Sequence, residues 1–131
     1  MQIEFPFVRE RVNIVRSILR PLARVVFDEE IPQWMYVDSG ADVTLLPRSV
    51  GELLGFEIHK GEEIKEVKGL GNSRVPIVIR KVFMKIGEKK FEARVAWGLT
   101  EDVPLVLGRL DVFNKFDILF KEREEKVVFM A

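Results

Sequence analysis

Short apolar runs rich in Val, Ile and Phe recur along this 131-residue chain, separated by charged or glycine-containing turns. That pattern predicts strands far more often than helices. Residues 3–8 read as a first strand, with Pro6 placing it at a sheet edge. Residues 13–19 fit a helical turn as well as a strand. Residues 22–27 and 33–37 form a hairpin around Asp28-Glu29-Glu30, and the second strand runs into Asp38-Ser39-Gly40. A second acid, Asp42, and another apolar run follow. Residues 47–55 are the best helix, because Pro47 suits a first turn, Val50, Leu53 and Leu54 share one face, and Gly55 can end it. Residues 63–68 and 74–79 flank a Gly69-Leu70-Gly71-Asn72 turn, and 82–86 and 91–97 flank Gly87-Glu88-Lys89-Lys90. Residues 103–107, interrupted by Pro104, make an apolar strand ending at Gly108-Arg109. A second short helix over 110–116 is predicted, then a closing hairpin of 117–120 and 126–130 around the solvated turn 121–125.

Short strands at regular spacing with glycine turns predict a mainly β fold, a closed or partly closed barrel with one or two short helices. A chain of this length reads as one domain, able to bury roughly two-thirds of its unfolded surface. Lys+Arg and Asp+Glu balance at 21 each, so no global field favours nucleic acid or an anionic membrane. Without cysteine there is no disulfide, thiolate nucleophile or Cys-based zinc site. The single histidine, His59, falls in a polar loop and cannot form a metal cluster alone. Carboxylates remain as the expected catalytic groups, with no metal or cofactor. The first residues lack a signal-peptide pattern, and no apolar run is long enough to span a bilayer, so a cytoplasmic protein is expected. Three Asn and two Gln beside abundant Lys, Arg and Glu point to a thermophilic source. Trp34 and Trp97 read as packing anchors.

Asp38-Ser39-Gly40 by itself is also what a turn with a leading Asp looks like. Its surroundings change the reading: an apolar strand before it, Ala41-Asp42 after it, a glycine-tipped hairpin over 63–79, and Val106-Leu107-Gly108-Arg109 before a helical pattern. In this order the features resemble the retropepsin family, the single-domain dimeric aspartic peptidases. The resemblance covers residues 20–130, leaving 1–19 as an N-terminal extension. Arg20-Pro21-Leu22 is similar to the retroviral members. Leu107-Gly108-Arg109-Leu110-Asp111-Val112-Phe113 through Phe116-Asp117-Ile118 is more similar to cellular and prokaryotic ones.

The resemblance implies a homodimer that hydrolyses peptide or protein substrates, with Asp38 from each chain forming the catalytic pair. Two carboxylates about 3 Å apart cannot both ionise, so one acts as base and the other as acid. Ser39 would hydrogen-bond across the dimer axis, and Gly40 would admit the substrate backbone. Ala41 would line the pocket. Asp42 would contact the substrate backbone or pair with Arg109, which the family pattern places beneath the active-site loop. Gly69, Leu70 and Gly71 would tip a flap over an extended substrate. Leu45, Val78, Val106 and Leu107 are pocket or core residues. The retroviral members interleave their termini in a shared sheet; here the long N-terminus and charged C-terminal hairpin leave that interface open. Two other readings stand beside the peptidase: a catalytically silent dimer of this fold that binds peptides or acts as a scaffold, and an all-β binding module with a chance turn motif.

Overall fold

Strand alternation turns into a closed wall because β-hairpins distant in sequence curl onto one another. The computed structural model describes residues 1–14, 17–68 and 72–131. Its strands are β1 (Gln2–Pro6), β2 (Val8–Glu10), β3 (Ile18–Arg20), β4 (Leu22–Phe27), β5 (Ile31–Val37) and β6 (Thr44–Leu46). After helix α1 (Arg48–Leu53) come β7 (Lys65–Lys68), β8 (Arg74–Ile86), β9 (Lys89–Gly98), β10 (Val106–Leu107), β11 (Asp117–Lys121) and β12 (Lys126–Met130).

Strands β4, β5, β10, β6, β9 and β8 pair in that order. β4 then meets β8 at Val26↔Lys85 and Phe27↔Met84, which closes a barrel. The mainly β expectation is therefore met. Inward positions carry the core: Val25, Phe27, Met35, Met84, Ile86 and Val95 are fully buried. Their alternation with exposed Arg24, Lys85 and Arg94 is the period-2 pattern read from the sequence. β7 adds to the outer side of β8, and β2 with β3 forms a separate ribbon.

The terminal strands pair within the chain. β12 lies between β1 and β11, with Gln2 opposite Met130 and Pro6 opposite Lys126. Pro6 thus lies on an edge strand, where its missing N–H removes no ladder bond. Edge-to-face aromatic contacts from Phe129 to Phe5 (5.8 Å) and Phe116 (5.3 Å), and from Phe116 to Phe91 (5.8 Å), fasten this sheet to the barrel.

Several elements differ from expectation. The predicted strands 74–79 and 82–86 are one strand, because Arg80 and Lys81 continue the ladder opposite Val95 and Arg94 and no turn residue interrupts them. Predicted strand 103–107 shortens to β10, as Pro104 withholds an N–H. Predicted helix 110–116 is only a 3₁₀ turn at Phe113–Lys115, since Asp111 takes a left-handed φ of 63° that ends any helix through it. Strand 3–8 divides into β1 and β2, with Phe7 N–H turned to Glu125 O. The ambiguous segment 13–19 ends in strand β3; its residues 15 and 16 lie outside the described residues. Trp97 is the packing anchor expected of it, but Trp34 is 50% exposed, touching Phe5 by one edge.

Helix α1 packs on Trp97, whose Nε1–H donates to Arg48 O at 3.1 Å. Gly51 lies against the indole, and a Cβ there would fall 2.1 Å from Nε1. Gly51→Ala is therefore expected to destabilise the fold by about 1–3 kcal/mol through overpacking. Urea unfolding would show this, and an unchanged midpoint would contradict the packing account.

Past the helix, the loop toward β7 is tied down by Arg80. Its guanidinium bonds both Glu62 carboxylate oxygens at 2.7 Å and Glu57 O at 2.6 Å. It also lies 5.9 Å from the Trp97 ring centre. Hydrogen bonding from Arg80, with help from His59 N–H, holds the Glu62 carboxyl at about 2, below its ordinary 4.5. A depressed carboxylate pKa stabilises the fold above the unfolded value and loses that contribution as pH falls toward the folded value. Stability should thus decline between pH 4.5 and about 2. Glu62→Gln should weaken folding at neutral pH and flatten the acid-unfolding curve across that window.

Candidate active site

Asp38 is aimed by backbone pairing on both sides of its strand. β10 runs parallel to β5, with Val106 opposite Tyr36 and Leu107 opposite Val37. Asp38 N–H donates to Leu107 O at 3.2 Å, and Tyr36 N–H to Leu105 O at 3.0 Å. The chain then turns: Ala41 N–H reaches Asp38 O at 3.2 Å, and Gly40 N–H donates to Asp38 Oδ1 at 2.9 Å. One carboxylate oxygen is so fixed, and among the described residues the other has no hydrogen-bond partner within the chain. A Cβ on Gly40 would come 3.3 Å from Oδ1, crowding the group that glycine leaves clear. Asp38, Ser39 and Gly40 are all exposed.

The loop is locked from behind by the residues that follow β10. Arg109 N–H donates to Ala41 O and Leu110 N–H to Asp42 O, each at 2.9 Å. Thr44 is the buried polar residue of the core, and its Oγ1 accepts the Gly108 N–H at 3.1 Å. A Cβ at Gly108 would lie 2.3 Å from the Val43 carbonyl carbon, so only glycine permits this approach. The sequence reading passed over Thr44. Its signal was a hydroxyl inside the apolar run Val43-Thr44-Leu45-Leu46, directly downstream of the acid.

Arg109 does not pair with Asp42, and that expectation is corrected. Its guanidinium turns to Ser39 O at 3.3 Å and lies 5.1 Å from the Phe113 ring centre. The charge pair of this region is instead Arg94 with Asp111, joined at 2.8 and 3.0 Å. Arg94 holds the Asp111 carboxyl at about 2, chiefly through side-chain and then backbone hydrogen bonds. On the other flank, Tyr36 O–H donates to Glu10 Oε1 at 2.5 Å, which raises the phenol's pKa. Arg20 Nε stands 3.1 Å from Glu10 Oε2, close enough for an ion pair but not aligned as a hydrogen bond. The N-terminal ribbon is thereby tied to the strand that carries Asp38.

A cavity of about 490 Å³ opens beside Asp38. Gly40, Ala41 and Asp42 form its floor with Val43 and Leu45, while Val106 and the β7 residues Val67 and Lys68 complete it. Larger hollows, such as one of about 800 Å³ beside Arg9 and Arg11, lie away from Asp38. Asp38, Gly40, Ala41 and Asp42 are thus brought together. Of the pocket-or-core residues, Leu45 and Val106 line the cavity, whereas Val78 and Leu107 are buried. Gly69, Leu70 and Gly71 lie outside the described residues; the strands leading to and from them, β7 and β8, pair from Lys65↔Ile77 to Lys68↔Arg74. Exposed His59 contributes its backbone N–H to Glu62, at 2.9 Å.

This closed barrel, with an acid-bearing loop clamped between strands, has a retropepsin-like fold. No family model and no curated protein sequence matches the chain. Among solved structures it is similar to a retropepsin-like aspartic protease from Rickettsia conorii, with a TM-score of 0.71 and 15% identity over 98% of this chain and 91% of that one. It is also similar to the EIAV protease complexed with the inhibitor HBY-793, with a TM-score of 0.59 and 24% identity over 73% of this chain and 86% of that one.

Thr44→Val keeps the side-chain shape but strands the Gly108 N–H. It is expected to destabilise the protein by about 1–3 kcal/mol, whereas Thr44→Ser should retain most of the stability. Denaturant unfolding of the two variants distinguishes lost hydrogen bonding from altered packing.

Proposed function

We propose that the protein is an aspartic endopeptidase that works as a homodimer, with Asp38 from each chain forming one catalytic pair. The observation that carries this reading is the exposed Asp38 carboxylate. One of its oxygens is held by Gly40 N–H, and it lines a cleft shared with Val43, Leu45, Val67 and Val106 in a retropepsin-like fold. One such carboxylate is half of an acid–base pair, so the site is complete only when a second copy supplies the other half. The exposed Ser39, whose hydroxyl has no partner within the chain among the described residues, is available to bond across that junction.

In the paired site a single proton is shared, because two adjacent carboxylates resist double ionisation. The ionised carboxylate removes a proton from a water held between them, and the water oxygen attacks the scissile carbonyl carbon. The protonated carboxyl donates to the carbonyl oxygen as it gains charge. Collapse of the resulting diol breaks the C–N bond, with a proton passing to the departing amine nitrogen. Substrate would lie extended between the loop at residues 38–42 and the β7–β8 hairpin, adding a strand and seating apolar side chains against Leu45, Val67 and Val106. The Gly40 carbonyl and the Asp42 carboxylate would accept hydrogen bonds from its N–H groups.

Cleavage of a peptide library, scanned from acid to neutral pH, tests the reading. Asp38→Asn and Asp38→Ala should each lower kcat/KM by about 10²–10⁴-fold or more, and sedimentation should show a dimer. Turnover that survives either substitution, or a strictly monomeric active protein, would overturn the shared dyad. A dimer that binds peptides without cutting them would instead support the binding-module reading.

A further inference from the structure

Among the described residues Lys68 is the one cation lining the cavity beside Asp38, and it is engaged in no ion pair. It ends β7, opposite Arg74 on β8, and is exposed. Neighbouring charges are paired elsewhere: Arg74 with Glu66 at 3.6 Å and Arg80 with Glu62 at 2.7 Å. Among the described residues Lys68 has no carboxylate within ion-pair distance, and neither has Asp42 a cation. The two opposite charges therefore share a cavity without neutralising each other. Asp38 adds a second carboxylate to the wall, and what remains is apolar or glycine: Gly40, Ala41, Val43, Leu45, Val67 and Val106.

We infer that Lys68 is a specificity-determining residue that selects an acidic side chain in the bound peptide, close to the apolar side chain filling the cavity. The inference rests on the peptide-cleft reading above. An extended peptide advances about 3.3 Å per residue, with side chains alternating in direction. A Glu or Asp two residues from the apolar anchor therefore lies on the same face and comes within reach of the long lysine stem. The ammonium would meet that carboxylate at the rim, where bound peptide displaces part of the water that screens it. An apolar peptide without the acid would still enter, but it would leave the cation unanswered. The cleft would accordingly recognise acidic–apolar segments rather than apolar ones alone.

Binding of fluorescent peptides by the Asp38→Asn dimer reads this without requiring turnover. Peptides identical except for Glu, Gln or Lys at one position, scanned through the two residues on either side of the apolar anchor, are compared in Lys68, Lys68→Met and Lys68→Glu backgrounds. At the favoured position Glu should bind about two- to five-fold tighter than Gln, as for a rim ion pair, and Lys should bind weakest. The preference should shrink in high salt, disappear in Lys68→Met and reverse in Lys68→Glu. Equal binding of Glu and Gln peptides at every position, or an unchanged preference in Lys68→Met, would overturn the inference. So would the absence of any peptide binding. Cleavage by the unmodified dimer without charge preference would leave the peptidase reading standing while removing the role of Lys68. Charge-selective binding without cleavage would do the reverse.

Discussion

The contact between the Gly108 backbone and the Val43-Thr44 backbone is the constraint on which the site depends. It lets β10 slip between β5 and β6, parallel to one and antiparallel to the other. A side chain at position 108 would push the strands apart, and a residue without a hydroxyl at 44 would leave a buried N–H unanswered. With the contact made, Leu107 O fixes Asp38 N–H, while Ala41 O and Asp42 O receive the next two amides of the opposing loop. Rigidity at the carboxylate is thus supplied by main-chain bonds between two loops rather than by an ion pair. That is why Arg109 can reach for Ser39 O and a phenylalanine face without loosening the loop.

Local pattern made much of this architecture legible. Alternation, punctuated by charged or glycine-containing turns, located the hairpins β4–β5, β8–β9 and β11–β12, because period-2 burial is written directly into each strand. Asp38 stood out because an acid, a hydroxyl and a glycine between apolar runs is a short-range signature. Pairings set by tertiary geometry were less accessible. Nothing in residues 106–107 announces a parallel partner 70 positions upstream, and β4–β8 closure depends on how strongly the two hairpins curl.

Charge partners were the least legible feature. Opposite signs at 42 and 109 looked like a pair because both belong to the active-site segments, yet the guanidinium points elsewhere. The actual pairs, Glu62–Arg80 and Arg94–Asp111, join residues 18 and 17 positions apart through ladder register and loop path. Asp111 also shows how one backbone angle defeats a periodicity argument. Apolar spacing over 110–116 suits a helix, but a left-handed residue near its start leaves room for a single 3₁₀ turn. Lys68 drew no notice because a lysine ending a strand is ordinary until it is known to line the cavity beside Asp38.

The pairing of β1 with β12 has a consequence for how the protein is made. The first strand of the chain bonds only to its twelfth, with residues 2–6 opposite 126–130. During translation β1 must wait, its amides bonded to water, until residues 126–130 have emerged. The barrel can close before then, since its strands lie between residues 22 and 107. Closing the terminal sheet becomes a late, high-contact-order event, with the entropy of a very long loop already reduced by the folded barrel. Until it happens, the face of Phe129 that Phe5 covers stays open, so chaperone capture and aggregation would compete with folding in that interval.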